Sequence, residues 1–186
     1  MIIPVNQIKF EIFDKYGNLE FKKEVLMQSF LSNWINWVRG VFVGANVTIK
    51  DTGGTNRSNP IQQTLNLLGP EGNVNYGIRV GTGTTAVAID NYAIETPIAH
   101  GNGGGQLYHK VTTVSATTTA GSSSYITIQR NLDNNSGGTI TVQEAGVIGY
   151  NSGSVWYFLL ARDITGAIAI GNTKTFVATY TYQTTV

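Results

Sequence analysis

The sequence contains no cysteine, few charged residues and no long apolar segment. Among its 186 residues the absence of cysteine excludes disulfide frameworks, catalytic thiolates and zinc sites with sulfur ligands. Charged residues make up 12% of the chain, about half of the usual ~25% share in soluble domains. The formal net charge of +1 argues against electrostatic capture of nucleic acid or of an anionic membrane. No apolar run approaches the ~20 residues that span a bilayer, so we expect no membrane partner.

Glycine and small polar residues are abundant, whereas charged residues and proline are scarce. The chain has 22 glycines beside 4 prolines, and threonine, asparagine and serine are abundant. This composition is typical of strands and turns rather than helices. The length suits a single domain, residues 1–186. The apolar residues 1–5 are followed at once by charged residues, which is unlike a signal peptide, so we expect synthesis in the cytoplasm.

The amino-terminal segment has the alternation of a β-hairpin. Apolar and charged side chains alternate over residues 8–12 and again over 19–22, with Tyr16-Gly17-Asn18 between the two runs. Eight charged residues lie between Lys9 and Glu24, so one face of this hairpin is well solvated, unlike the rest of the chain. We therefore predict that residues 1–23 form a peripheral hairpin, an arm that reaches a neighbouring subunit.

Residues 24–43 change to a helical period. Apolar side chains recur at intervals of three and four residues, with Trp34 at the centre of the apolar arc and Asn33 on the opposite, polar side. The arc covers roughly half of the circumference, which is wider than the ~100° stripe of a surface helix. A wide face requires two partners: either a sheet with flanking loops, or a sheet with a neighbouring subunit that one of the tryptophans contacts. The candidate interface residues are Trp34, Trp37, Phe10 and Phe21.

Residues 44–186 are predicted to form an antiparallel β-sandwich, of jelly-roll or immunoglobulin-like type, after a long loop at residues 51–60. Residues 155–161 are apolar on both faces, as expected of a central strand that is covered on each side. The fold class is thus mainly β, with an amino-terminal hairpin and one long amphipathic helix. The predicted strands cover residues 65–68, 76–80, 107–115, 125–130, 139–148, 155–161 and 173–182.

Two motifs suggest ligand chemistry, and both are weak. Residues 81–86 match the G-x-G-x-x-A pattern of dinucleotide-binding folds, but no helix pattern follows and residues 103–105, near the expected acidic position, are glycines. His100 and His109 bracket a glycine-rich segment, where we expect them to be polar residues on a mobile loop. Two imidazoles without a nearby carboxylate fall short of the three or four ligands of a zinc site. We expect no cofactor and no metal.

Catalytic arrangements are equally weak in the sequence. The G-x-S-x-G nucleophile motif is absent. Glu95, Glu144 and Asp163 are far apart in sequence, and nothing local pairs them for glycosidase-type acid–base chemistry, although such pairs often come from distant strands. We therefore expect that the protein is not an enzyme.

Aromatic residues leave a sugar-binding function open. Nine tyrosines and three tryptophans could supply an exposed face for carbohydrate, and the candidates are Tyr92, Tyr180 and Tyr182. Packing in the core or between subunits explains the same residues, because strands favour aromatic side chains for packing alone. The alternative function is a carbohydrate-binding β-sandwich module used in adhesion to a host surface.

Four segments carry a resemblance to a protein family. They are residues 76–98 (YGIRVGTGTTAVAIDNYAIETPI), 130–147 (RNLDNNSGGTITVQEAGV), 158–163 (FLLARD) and 171–182 (GNTKTFVATYTY), which together cover most of residues 75–182. They resemble stretches of small virion structural proteins of tailed bacteriophages, a mostly uncharacterised family. The resemblance implies a structural role in the virion, at the head, neck or tail, with synthesis in the host cytoplasm. It implies other virion proteins and copies of the same chain as partners, and it supplies no catalytic or ligand residues.

Overall fold

A computed structural model describes residues 6–27, 30–59 and 64–185 and shows a mainly β protein with antiparallel sheets. This confirms the predicted fold class at that level, and the arrangement is consistent with a β-sandwich. One helix, α1, covers Ser32–Val43. The strands are β1 (Gln7–Phe13), β2 (Leu19–Leu26), β3 (Val47–Lys50), β4 (Asn56–Asn59), β5 (Leu65–Asn66), β6 (Gly77–Gly81), β7 (Tyr108–Val114), β8 (Thr118–Ala120), β9 (Ser123–Asn134), β10 (Ile140–Asn151), β11 (Trp156–Ile170) and β12 (Lys174–Thr185).

Two larger sheets share one hydrophobic core. The first runs in the order β2-β1-β12-β9-β7, with β8 paired to β9, and the second runs β11-β10-β5, with β6 also paired to β10. Alternate side chains of both sheets enter a single buried cluster, as the period of two in a strand requires. The first sheet contributes Ile8, Phe10, Ile128, Leu132, Phe176 and Tyr180, and the second contributes Ile78, Val80, Val142, Val147, Phe158 and Leu160.

The predicted amino-terminal hairpin is present, but it is not an arm. Strand β1 pairs with β2 on one side and with β12 on the other, from Gln7↔Thr181 to Phe13↔Thr175. Ile8, Phe10 and Ile12 of β1 are buried in the common core. Half of the eight charged residues belong to β2, the outer strand, whose positions are mostly exposed. The charge pattern therefore marks the edge of the sheet rather than a separate arm.

The helix is shorter than predicted and is rotated differently. Residues 24–26 continue β2 by pairing with β1, so tertiary pairing overrides the helical period there; Gln28 and Ser29 lie outside the described residues. Asn33 and Gly40, seven residues apart, form the buried side of α1, whereas Ile35 is 58% exposed. The helix ends at Val43, and Gly44 caps it with a left-handed backbone (φ 60°). Within the described residues no helix is both long and apolar enough to cross a membrane.

Strand β11 is an edge strand, although its apolar run predicted a central one. Residues 158–161 are buried, yet among the described strands β11 pairs with β10 alone, and an isolated bridge joins Ala161 to Phe30. Its free side is covered by donors from outside the sheet. The Leu31 amide donates to Leu160 O (3.0 Å), the Thr52 amide to Tyr157 O (2.9 Å) and the Asn33 side chain to Leu159 O (3.1 Å). These contacts satisfy carbonyls that an open edge would leave unpaired.

The segment predicted as a loop at residues 51–60 contains a strand. Strand β4 pairs with β3 over Val47↔Asn59 to Lys50↔Asn56. Asp51 organises the turn between them: its Oδ1 accepts hydrogen bonds from the Gly53 and Thr55 amides at 3.0 and 2.9 Å. The predicted strands in residues 65–182 are all found, several with longer bounds, and the short strand β8 was not predicted.

Candidate functional sites

The four predicted interface residues occupy three different elements. Trp34 and Trp37 of α1 are half-buried and pack against the common core. Phe21 of β2 is 37% exposed. Phe10 is fully buried, and its ring stacks on Phe176 with centroids 5.6 Å apart. Phe10 is therefore not on the surface of the folded chain. Its strand, β1, lies between β2 and β12, and its side chain belongs to the common core.

An apolar patch on α1 lies on the side that the sequence pattern assigned to the interior. Ile35, Val38 and Phe42 follow one another at intervals of three and four residues, so they share one face of the helix. Ile35 is 58% exposed, and Phe42, at 83%, is among the most exposed large apolar side chains of the described chain. Val41 and Val43 flank Phe42 and are also more than half exposed. We call Ile35, Val38, Val41, Phe42 and Val43 the helix patch.

The three predicted sugar-binding tyrosines do not form one surface. Tyr180 is fully buried and faces Asp163 at 3.5 Å, and burial raises the pKa of its hydroxyl well above the ordinary value. Tyr180 is therefore excluded from an exposed binding face. Tyr92 is 40% exposed, in the segment between β6 and β7, where the Lys50 ammonium lies 5.4 Å from its ring centroid. Tyr182 is half-buried near the end of β12.

Tyr182 contributes to an aromatic groove beside the start of α1. Its ring lies 5.4 Å from that of Phe30 and 6.1 Å from that of Trp34, measured between centroids, and Phe30 stacks on Trp34 at 5.4 Å. The groove has a volume of about 330 Å³. We call it the aromatic groove; it is lined by Asn6, Phe30, Trp34, Thr117, Ser124, Tyr125, Ile126, Tyr182, Gln183 and Thr184. One predicted interface residue and one predicted sugar-binding residue thus meet in one place.

A buried ion-pair cluster joins two carboxylates that the sequence separates widely. Glu144 of β10 is fully buried, and its Oε2 accepts a hydrogen bond from Arg162 Nε of β11 at 2.9 Å. Arg162 Nη2 bonds Glu95 Oε2 at 3.0 Å. The hydrogen bonds from Thr85 to Glu95, and then the charge of Arg162, hold the pKa of the Glu95 carboxyl below its usual value. Glu95, Arg162 and Tyr92 line an open pocket of about 320 Å³.

Backbone contacts indicate that this cluster is structural. Glu144 Oε1 accepts from the Gly83 amide (3.0 Å) and the Thr96 amide (2.8 Å), and its Oε2 also accepts from the Glu95 amide (3.1 Å). Both oxygens of Glu144 are therefore committed to donors. Burial and complete hydrogen bonding are the features of a carboxylate that holds a loop, since an acid–base catalyst needs access to substrate.

The glycine motif at residues 81–86 serves the same cluster. A Cβ on Gly83 would lie 2.5 Å from both Glu144 Oε1 and Glu95 Oε2, and a Cβ on Gly81 would overlap Glu144 Oε1. The motif thus permits a close approach of backbone to carboxylate, and in the described part of the chain no helix follows it. The sequence signal for the cluster was an ionisable residue inside an apolar strand, at Glu144 in β10 and at Arg162 directly after residues 155–161.

The histidines were predicted to lie on a mobile loop, but the structure places them elsewhere. His109 belongs to β7 and is fully buried, and the pKa of its imidazole is lowered to about 3, first by burial and then by the charges of Arg130 and Arg79. His100 accepts a hydrogen bond from the His109 amide through Nδ1 at 3.1 Å, and its ring packs on Tyr108. Over the described ranges, His, Asp and Glu residues form no group of three or more that could hold a metal ion.

Comparison of the chain with protein-family models, with curated proteins and with solved structures finds no match.

Proposed function

We propose that the protein is a non-enzymatic structural component of a tailed-phage virion, a β-sandwich that assembles with copies of itself and with other virion proteins. The sequence resemblance is the basis for assigning the protein to a virion, and the helix patch is the candidate contact surface. The observation that carries the assembly is the 83% exposure of Phe42 on the outward face of α1. Full burial of such a side chain contributes about 1.5–3 kcal/mol.

A second copy of the chain is the partner that the patch fits best. The formal net charge of +1 gives little repulsion between copies. The helix patch is free of charge except for the neighbouring Arg39, so two patches can meet around a two-fold axis without burying a set of unpaired ions. Lysine and glutamate are depleted in interface cores, which agrees with the composition of the chain.

Sedimentation equilibrium tests the assembly. We expect the wild-type chain to be a concentration-dependent oligomer, and Phe42→Ser to weaken association about tenfold or more. Tyr16→Ser is the matched control, because Tyr16 is 78% exposed at the hairpin turn, outside the patch; its association is expected to equal that of wild type. A wild-type chain that stays monomeric at every concentration contradicts the proposal. Tryptic peptides of this chain in purified phage particles would test the virion assignment separately.

Carbohydrate binding is the second candidate, and the aromatic groove is the observation that favours it. Trp34 and Tyr182 supply ring faces, and Asn6 and Gln183 supply amides at the rim, which together can stack on and hydrogen-bond to a sugar. A glycan array with wild type, Trp34→Ala and the control Trp37→Ala tests it. Binding that is lost only with Trp34→Ala supports the candidate, and an absence of wild-type binding contradicts it.

A further inference from the structure

Two buried arginines lie next to each other in the fold, and their hydrogen bonding differs sharply. Arg79 of β6 is only 8% exposed; its Nη2 donates one hydrogen bond, to Ile98 O at 3.2 Å, and its buried Nε has no partner. No ion pair joins either arginine to a carboxylate among the described residues. Arg130 is fully buried, and its guanidinium donates to the carbonyls of Lys110 (2.7 Å), Ile78 (3.0 Å), Pro70 (3.2 Å) and Asn73 (2.7 Å).

The surroundings of Arg79 hold further positive charge rather than negative charge. Arg130 donates to the carbonyl of Ile78, the residue before Arg79. The charges of both arginines act on His109, whose two buried ring nitrogens are without a hydrogen-bond partner. Orphaned buried polar atoms are rare in folded proteins, and where they cluster they indicate a bound water, ion or ligand. A guanidinium in particular is rarely buried without an anion.

A pocket opens at Arg79. It has a volume of about 190 Å³, which suits a molecule of a few heavy atoms. Its lining combines Arg79 with mostly apolar residues, so it matches a ligand with one anionic end and a small apolar body. The lining residues are Thr52, Val74, Asn75, Arg79, Ala93, Ile94, Pro97 and Ile148.

We propose that this pocket binds the carboxylate of a small organic acid, with Arg79 as the ion-pair partner and the apolar body against Val74, Ile94 and Pro97. A guanidinium presents parallel N–H donors that match the two oxygens of a carboxylate, and among the described residues the guanidinium of Arg79 has the Ile98 carbonyl as its one hydrogen-bond partner. Arg130 cannot substitute for Arg79, because four backbone carbonyls already occupy its donors.

Titration with butyrate, with butyramide as its neutral counterpart, tests the proposal by NMR. We expect butyrate to shift the Nε–H resonance of Arg79 in a saturable way, and butyramide to bind roughly tenfold to hundredfold more weakly, because it lacks the charge-assisted bonds. Inorganic phosphate is the third probe. It distinguishes a pocket for organic acids from a general oxyanion site: phosphate binding without butyrate binding overturns the proposed ligand class.

Two variants and a control test whether Arg79 holds the carboxylate of butyrate. Arg79→Met removes the ion-pair partner and is expected to abolish butyrate binding. Asn75→Asp, at an exposed rim position, leaves the buried groups in place and is expected to weaken binding by about tenfold through repulsion. Asn46→Asp is the matched control, since Asn46 is exposed and does not line the pocket. Butyrate binding that Asn75→Asp and Asn46→Asp change equally, or that survives Arg79→Met, overturns the proposal.

Discussion

Asn33 is the residue whose role the helical pattern concealed. Its side chain lies on the buried side of α1 and connects three segments: Nδ2 donates to Lys50 O at 2.9 Å and to Leu159 O at 3.1 Å, and Oδ1 accepts from the Lys50 amide at 3.2 Å. Asn33 thereby ties α1 to β3 and to the free edge of β11. A hydrophobic pattern places amides on the solvent side by default, and it contains no information on which amide bonds to a distant backbone.

Asn33→Ala is expected to destabilise the protein by about 2–4 kcal/mol. The substitution leaves buried backbone groups of Lys50 and Leu159 without partners, at about 1–3 kcal/mol for each unsatisfied group. Urea unfolding of the variant and of wild type measures the difference. Asn36→Ala, one turn further along the same helix at a half-buried position, is the control and is expected to cost at most about 0.5 kcal/mol. Equal losses at the two positions would contradict the observed rotation of α1.

At the scale of the single residue, periodicity predicted burial well in strands and poorly in the helix. Phe176, Ala178 and Tyr180 alternate in sequence and are all buried in the core. The burial of Glu144 and Arg162 was not predictable, since each charge is stabilised by a partner that the chain brings from another strand. Pairing of β10 with β11 sets Arg162 opposite Gly146, two residues from Glu144, so that the two side chains meet diagonally across the strands.

The segment between β6 and β7 is held in position by a buried carboxylate from another strand. It has few strand pairings of its own, an isolated bridge joining Gly81 and Pro97 being one. Glu144 holds it instead, through the amides of Gly83, Glu95 and Thr96. The glycines of residues 81–86 are thus explained by the close approach of this backbone to Glu144 rather than by a nucleotide.

Gly83→Ala is expected to destabilise the chain by about 1–3 kcal/mol, because the new methyl group would displace both Glu144 and Glu95. Hydrogen exchange should show the loss first in residues 81–98, where the Glu144 contacts end. Gly104→Ala is the matched control: a Cβ there meets nothing within 4 Å, and the expected change lies within about 1 kcal/mol. Comparable destabilisation by the two substitutions would show that the carboxylates do not constrain the segment.

The helix and the hairpin show how tertiary pairing limits prediction at the scale of the element. The sequence predicted a hairpin correctly, because alternation and a turn are local properties. It could not predict that β12, from the other end of the chain, covers the second edge of β1. Likewise the sequence of residues 24–43 has a helical period, yet residues 24–26 belong to β2 because their backbone pairs with β1.

Across the whole molecule, charge is arranged unevenly. The exposed edge at β2 carries two carboxylates and two lysines, and the Glu144 cluster carries two carboxylates and one arginine. In contrast, Arg79 of β6, Arg130 of β9 and His109 of β7 form a buried basic cluster. A buried neutral histidine beside two arginines makes stability depend on pH. The folded protein does not take up a proton at His109 until the pH falls to about 3, whereas the unfolded chain takes it up near pH 6.5.

The free energy of unfolding is therefore expected to fall as pH decreases from about 6.5 towards 3, by about 1.4 kcal/mol per pH unit from His109 alone. Between about pH 7.5 and pH 5 this amounts to about 2 kcal/mol. Asp14 and Glu95, whose pKa values are lowered by hydrogen bonds from Asn18 and Thr85, lose their contribution only below their ordinary values near 4, outside that window.

Urea unfolding of wild type and His109→Gln at the two pH values isolates this effect, in buffers without phosphate or carboxylates so that no added anion occupies the Arg79 pocket. Glutamine does not titrate, so the variant should lose about 2 kcal/mol less than wild type between pH 7.5 and 5. The comparison uses the difference between pH values within each protein, and an overall change in stability from the substitution cancels. Parallel pH profiles for the two proteins would mean that His109 takes up its proton equally in the folded and unfolded states, which its burial against Arg79 and Arg130 opposes.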